Sequence, residues 1–276
     1  MKIGVHVSIA GGVQEAPKNA AECGCECFQM FSRSPRGGPA PKLTPKVIRE
    51  FKENLKKYKQ SACYIHTPYY INLASTNNRI RFGSIKVIRE ELERGSQLGA
   101  RAVMTHLGSA KDLGEAKAHQ QVADGLRRIL KGYKGSTQFL IEMSAGSGLI
   151  IGDTFEEVAK LIKLSGHPEI GVCFDTAHCF ASGYDLRTKQ AVKKIFDQFN
   201  KILGLRRLKL IHANDSKADL GSHIDRHDHI GLGKIGKEGF RAILHEPRLR
   251  QLNLILETPK DNKRVNDIEI LKRLRR

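Results

Sequence analysis

Residues 102–143 contain AVMTH (102–106), then EAKAHQQVADGLRRILKGY (115–133), then FLIEM (139–143). The two short apolar runs suit buried strands, and the segment between them has helical spacing with many charged residues. It is long enough for a crossover helix, so the stretch reads as strand, helix, parallel strand. The same alternation continues in both directions, through KIGVHV (2–7), CFQMF (27–31), ACYIH (62–66), GVCFD (171–175), LKLIH (208–212) and LNLILE (252–257). Segments such as TPKVIREFKENLKKYK (44–59) and NRIRFGSIKVIREELERGSQLG (78–99) lie between the runs. Eight strand–helix units predict an α/β chain whose parallel sheet closes into a (β/α)8 barrel.

The length of 276 residues fits one such barrel, so a single domain over 1–276 is expected. A doubly wound open sheet is the rival, but it carries fewer units and a glycine-rich phosphate loop after its first strand. Gly11 and Gly12 do not form that loop. Four longer or oddly composed loops, at 32–43, 67–77, 144–153 and 214–236, all follow strands. Loops after strands emerge on the face where barrels place their active sites, so these four are candidates for gripping a substrate.

Lys and Arg number 47 against 29 Asp and Glu, a formal charge of +18. Wide positive potential points to a polyanionic partner, although a charged, solubilising surface gives the same balance. No run approaches a membrane span, and MKIGVHVS enters a strand pattern without the apolar core of a signal peptide. An intracellular protein with no membrane association is expected. The six cysteines sit mostly in or beside apolar runs, as buried free thiols do.

Six of the eight runs end in, or one residue from, a potential metal ligand: His66, His106, Glu142, Asp175, His212 and Glu257, with His6 as a seventh candidate. The ends of barrel strands converge on one central spot, so residues far apart in sequence meet there. Two local clusters, Asp175 with His178 in DTAH and Asp225 with His227 in DRH, place a carboxylate beside an imidazole. Imidazole and carboxylate without thiolate suit zinc, manganese or iron, and zinc where several histidines gather. A carboxylate ending a strongly apolar run is costly unless paired or metal-bound, which favours a site role for Glu142 and Glu257. Other histidines have plainer readings. His6 alone reads as a hydrogen-bonded structural residue, while His119, His167 and His245 fall on helices or beside proline and read as surface positions. Spacing alone does not separate Asp225 and His227 from the neighbouring His223, Asp228 and His229.

The motifs HVSIAGG (6–12), HTPYYINLA (66–74), DTAHCFASGYDLR (175–187), HANDSKADLGSHIDRH (212–227) and ILETP (255–259) make the chain resemble endonuclease IV, the zinc-dependent apurinic/apyrimidinic endonuclease family, over essentially its whole length. The resemblance implies about three zinc ions, with manganese or iron as substitutes. One is held by His66, His106 and Glu142; a second shares Glu142 and adds Asp175, His212 and Glu257; the third sits on His178, Asp225 and His227. It also implies hydrolysis of the phosphodiester bond 5′ to an abasic site in double-stranded DNA by a zinc-bridged hydroxide. The products are a 3′-hydroxyl and a 5′-deoxyribose phosphate, and blocked 3′ ends are trimmed too.

Glu142 and Glu257 take the catalytic positions by this resemblance, Arg36 and Tyr69 the positions that contact DNA, and a monomer is expected. Activated water and cations around phosphate are chemistry that needs no covalent intermediate. The chain departs from the family pattern in having no Trp, Tyr70 for an aliphatic residue, Ala177 where Cys is common and Leu232 in place of an acidic residue. The alternative is a xylose isomerase-like sugar isomerase or epimerase with two divalent ions, which gives no role to DRH or to so basic a surface.

Overall fold

All eight apolar runs form strands, and the strands close on themselves. The computed structural model describes residues 1–259, 261 and 264–276. Along the chain run β1 (Ile3–Val7), α1 (Ala16–Glu22), β2 (Cys27–Met30), α2 (Pro45–Lys57), β3 (Cys63–His66), α3 (Asn78–Leu98), β4 (Ala102–Thr105), α4 (Glu115–Leu130), β5 (Gln138–Glu142), α5 (Phe155–Ser165), β6 (Gly171–Asp175), α6 (Thr176–Ala181), α7 (Lys189–Ile202), β7 (Leu208–His212), β8 (Asp215–Ser216), β9 (His227–Asp228), α8 (Gly236–Leu244), β10 (Asn253–Leu256) and α9 (Arg264–Arg275). The closed barrel has the order β1-β10-β7-β6-β5-β4-β3-β2. Every neighbouring pair in it is parallel. Among the described residues no helix is long and apolar enough to cross a membrane.

The core has two parts, separated by the sheet. Cys27, Ala62, Tyr64, Ala102, Met104, Leu140, Cys173, Leu210 and Ile255 form one apolar cluster inside the barrel. Phe28, Ile65, Val103, Ile141, Phe174, Ile211 and Leu256, their neighbours in sequence, belong to the larger layer between sheet and helices. Side chains on a strand alternate between faces, so the residue two beyond each inner one again faces the axis. Those residues are Gln29, His66, His106, Glu142, Asp175, His212 and Glu257. Below His6, β1 carries Gly4, where an added Cβ would lie 1.7 Å from the Cys27 carbonyl oxygen. No other residue fits the axis at that level.

Two features of the rim go beyond the expected pattern. Asp175 ends β6 and at once caps α6, its Oδ1 accepting the His178 amide at 2.9 Å. Serving as a helix cap satisfies an amide that the first turn leaves free, and it sets His178 one turn from Asp175. The 214–236 loop contains the antiparallel pair β8–β9, in register Asp215↔Asp228 and Ser216↔His227. Buried Asp215 gathers the far end of that loop, accepting the amides of Gly231 at 2.8 Å and Ile235 at 2.9 Å. The six cysteines are free thiols, five of them buried. His119, expected at the surface, is instead buried at 2% exposure. It is paired with Glu157 and Lys160 of α5, so the polar face of α4 is turned partly inward and satisfied there.

The 32–43 loop is held by a buried ionic knot. Glu91 of α3, with no exposed surface, accepts from the Arg33 Nε and, at 2.6 Å, from Ser32 Oγ. Arg94 donates through Nε to Ser32 Oγ at 2.6 Å and through a terminal nitrogen to the Pro41 carbonyl at 2.8 Å. Glu91 offsets two guanidinium groups in a place where neither could be left alone. Removing one partner of a buried pair costs about 3–5 kcal/mol. Glu91→Ala is therefore expected to lower unfolding free energy by about that amount in a denaturant titration, whereas a change below about 1 kcal/mol would mean the knot is solvated like a surface pair.

Candidate metal centre

The side chains that strand parity sends to the upper end of the barrel axis meet there. Glu142 lies at the centre, with no exposed surface. Its Oε2 is 2.8 Å from His66 Nε2 and 3.7 Å from His106 Nε2. Its Oε1 is 2.9 Å from His212 Nδ1. His212 Nδ1 also lies 3.1 Å from Glu257 Oε2 and 3.8 Å from Asp175 Oδ2. On the other side of Asp175, His178 Nε2 and His227 Nε2 face each other at 3.2 Å. Asp225 Oδ1 completes that group at 3.3 Å from His178 and 3.4 Å from His227.

All nine expected side chains are thus brought together, and the donor atoms of eight of them, all but Asp225, fall into three sets that could each hold a metal ion. These are His66, His106 and Glu142; Glu142, Asp175, His212 and Glu257; and Asp175, His178 and His227. The third set differs from the expected grouping by including Asp175, whose Oδ2 lies 3.8 Å from both His212 Nδ1 and His227 Nε2. Asp225 stands beside it, half exposed. Asp175 therefore touches two sets, as Glu142 does.

The outer nitrogens of the imidazoles decide what the inner ones can do. His66 Nδ1 donates to the Thr67 carbonyl at 2.6 Å, His178 Nδ1 to Met143 O at 3.0 Å, and His227 Nδ1 to Glu257 O at 3.2 Å. His212 Nε2 donates to Gln29 Oε1 at 2.7 Å. In the neutral ring each then turns a lone pair towards carboxylates, the tautomer a metal ligand requires. Lone pair against carboxylate is repulsive unless a cation or a proton stands between them. His106 Nδ1 is buried without a hydrogen-bond partner among the described residues, a cost of ~1–3 kcal/mol that a bound ligand can offset. By donor type, tautomer and charge, the residues present fit a cluster of divalent ions.

Electrostatics point the same way. Burial alone pushes the Glu142 carboxyl up, but the imidazoles of His106, His212 and His66 hold it well below the usual carboxylate range. Glu257 behaves alike, burial being outweighed by His212 and His6. Burial works against a charged His178, yet Asp175 and Asp225 raise it to about 10. For His106 burial wins, and its pKa falls. Glu142 and Glu257 are thus held ionised, and His178 favours its charged form.

Two residues that complete the centre, Gln29 and Asn214, escape a search for ligand-type residues, and both are fully buried. Gln29 Nε2 donates to Glu257 Oε1 at 2.6 Å, while its oxygen accepts from His212. Asn214 Nδ2 donates to Asp175 Oδ2 at 2.6 Å, and its Oδ1 accepts the Glu257 amide at 2.7 Å. Their signal is parity, since Gln29 is two beyond Cys27 and Asn214 two beyond His212. Of the remaining histidines, His6 touches the centre, while His223 and His229 belong to the loop that carries His227. His6 lies 3.6 Å from Glu257 and 3.0 Å from Gln29. His229 is held by Asp267 and Asp261, and His223 bonds the Ala145 carbonyl.

Beside the cluster opens a cavity of about 390 Å³, whose lining includes Tyr69, Tyr70, His106, Ser147, His178 and Asp225. Tyr69 is 76% exposed and rests edge-on against Phe31 at 5.1 Å between ring centres. Phe31 in turn touches His6 and His66. Arg36 is exposed on the 32–43 loop and lies outside the donor sets.

The family model described as Xylose isomerase-like TIM barrel matches residues 17–275. A probable endonuclease 4 of Cenarchaeum symbiosum is 41% identical over 273 residues, covering 96% of this chain and 95% of that protein. Among solved structures, endonuclease IV from Thermus thermophilus superposes with a TM-score of 0.89 at 31% identity, covering 99% of this chain and 98% of the other. A D-tagatose 3-epimerase-like protein superposes at 0.74 with 20% identity, covering 99% and 97%, a likeness of fold alone. With the barrel, the three donor sets and these full-length matches in hand, the chain belongs to the endonuclease IV family of Xylose isomerase-like TIM barrels.

Proposed function

We propose that this chain is a metal-dependent DNA repair endonuclease, acting as one domain over residues 1–276. It hydrolyses the phosphodiester bond 5′ to an abasic site, leaving a 3′-hydroxyl and a 5′-deoxyribose phosphate, and it trims blocked 3′ ends. The observation that carries this reading is the grouping of eight imidazole and carboxylate side chains, buried Glu142 among them, into three sets able to hold a metal ion, with Asp225 beside the third, in a chain whose relatives bear the names endonuclease 4 and endonuclease IV.

In this reading His66, His106 and Glu142 hold one zinc, and Glu142, Asp175, His212 and Glu257 a second. His178, Asp225 and His227 hold the third, with Asp175 at its edge; manganese or iron can substitute. When bound, such ions lower the pKa of water towards ~7 and offset the negative charge that gathers on a phosphate under attack. The protein's own part is orientation. Glu142 and Glu257 are the catalytic carboxylates, and Gln29 fixes Glu257 through its Oε1 and His212 through its Nε2. Tyr69, standing exposed over the cavity mouth, contacts the abasic sugar, and Arg36 grips DNA from its anchored loop. The charge of +18 attracts the DNA backbone without reading sequence. The enzyme is an intracellular monomer. A two-ion sugar epimerase leaves His178, Asp225 and His227 without a role, and the epimerase-like barrels share too little sequence to lend their chemistry.

Three measurements check this reading. A duplex with one abasic analogue should be incised 5′ to the lesion by zinc-loaded protein, and intact substrate after prolonged incubation with a verified zinc-loaded sample would end the proposal. Glu257→Gln keeps the shape and the Gln29 contact but removes the charge. It should retain affinity for the abasic duplex and lose roughly 10²-fold or more in turnover, the scale of one electrostatic group at a reacting centre; turnover equal to the wild type would take Glu257 out of the site. Asn214→Ala removes the support of Asp175 and Glu257, so zinc retained against graded chelator should fall by about 10- to 100-fold in affinity. Unchanged retention would show that these carboxylates are set by other contacts.

A further inference from the structure

Asp225 is the least buried of the nine donors, with half of its side chain in solvent. It lies in the stretch between β8 and β9, where no helix or strand fixes the backbone. A carboxylate so placed needs another element to hold it over His178 and His227. The structure supplies one, and it comes from the loop after β5. Ser147 Oγ donates to the His223 carbonyl at 2.6 Å and accepts the Asp225 amide at 3.2 Å. One hydroxyl thus bridges the peptide groups on both sides of Ile224, leading directly into Asp225.

The neighbouring contacts show that the bridge is built in. His223 Nδ1 bonds the Ala145 carbonyl at 3.1 Å, and the His223 amide donates to Ala181 O of α6 at 2.9 Å. His223 holds a left-handed φ of 53°, a conformation that is unfavourable for a residue with a side chain and persists where surrounding contacts enforce it. Gly146, at φ 71°, leaves the room this requires, since a Cβ there would fall 2.5 Å from both His223 Nδ1 and Asp153 Oδ2. The Ser147 side of the clasp is itself fixed to the loop after β4. There Ser109 Oγ donates to Gly148 O at 2.6 Å and the Ala110 amide to Leu149 O at 2.9 Å.

We infer that Ser147 is a positioning residue that seats Asp225 over His178 and His227, so that the β5 loop governs occupancy of the third metal position. The inference rests on the metal-dependent reading above. Ser147 touches none of the nine donor side chains in this role; it acts through the Asp225 backbone.

The test is zinc stoichiometry of the full chain, dialysed against a graded series of chelator concentrations and counted by elemental analysis. Wild-type protein should retain about three zinc ions per chain. Ser147→Ala should lose one of them at about 10- to 100-fold less chelator, the range expected for an outer support of a ligand, while the other two leave as in the wild type. Ser147→Thr, which keeps the hydroxyl, should hold the ion as the wild type does. Three zinc ions leaving Ser147→Ala as they leave the wild type would overturn the inference. So would joint loss of all three, or equal loss in the Ala and Thr variants, because the hydroxyl would then not be what seats Asp225. A wild-type chain that binds no zinc would instead remove the metal reading itself, which keeps the two failures distinct.

Discussion

Closure of a parallel barrel constrains every strand in the same way: alternate side chains must enter a space about one side chain wide and fill it. In this chain the lower levels are filled by Cys27, Tyr64, Met104, Leu140, Cys173, Leu210 and Ile255. Parity then leaves each strand one more inward position at the rim, occupied by His6, Gln29, His66, His106, Glu142, Asp175, His212 and Glu257. The apolar layers and the polar centre are therefore a single stack. A shift of one residue in any strand would send a ligand outward into the helical layer and an apolar residue into the centre.

The second constraint is charge. Glu142, Asp175 and His212 are fully buried, and Glu257 is partly buried, with 19% of its side chain exposed. Buried carboxylates are tolerable only where positive charge or hydrogen bonds answer them. Here both are present, in an ordered way: imidazoles on the inside, amide groups of Gln29 and Asn214 on the outside, and backbone carbonyls on the far ring nitrogens. The protein fixes ring tautomers and carboxylate directions with groups that carry no charge themselves. Positive charge remains free to sit in the middle.

The sequence makes much of this legible, for identifiable reasons. Strand runs such as LKLIH and GVCFD end where the strands end, because a parallel barrel strand is buried on both faces and reads as a continuous apolar run. His, Asp and Glu at those ends are conspicuous against that background. Gln29 is not, since an uncharged amide in CFQMF looks like an ordinary strand residue until parity is counted from Cys27. The nearness of Asp175 to two donor sets is a matter of ångströms, which spacing in DTAH does not encode. His119 misleads because a histidine on an amphipathic helix normally faces water, and only its partner Glu157 on the next helix explains its burial. A hairpin made of two-residue strands, β8 with β9, is too short for any periodic signal.

The ring order β1-β10 has a temporal meaning. The barrel closes only when the strand formed last in the chain pairs with the one formed first, and the donors span positions 66 to 257. No nascent fragment that stops short of β10 holds the complete constellation, and long-range pairing of this kind is slow because the loop between the ends must first be closed. A growing polypeptide therefore lacks part of the donor set until β10 has been made and paired with β1.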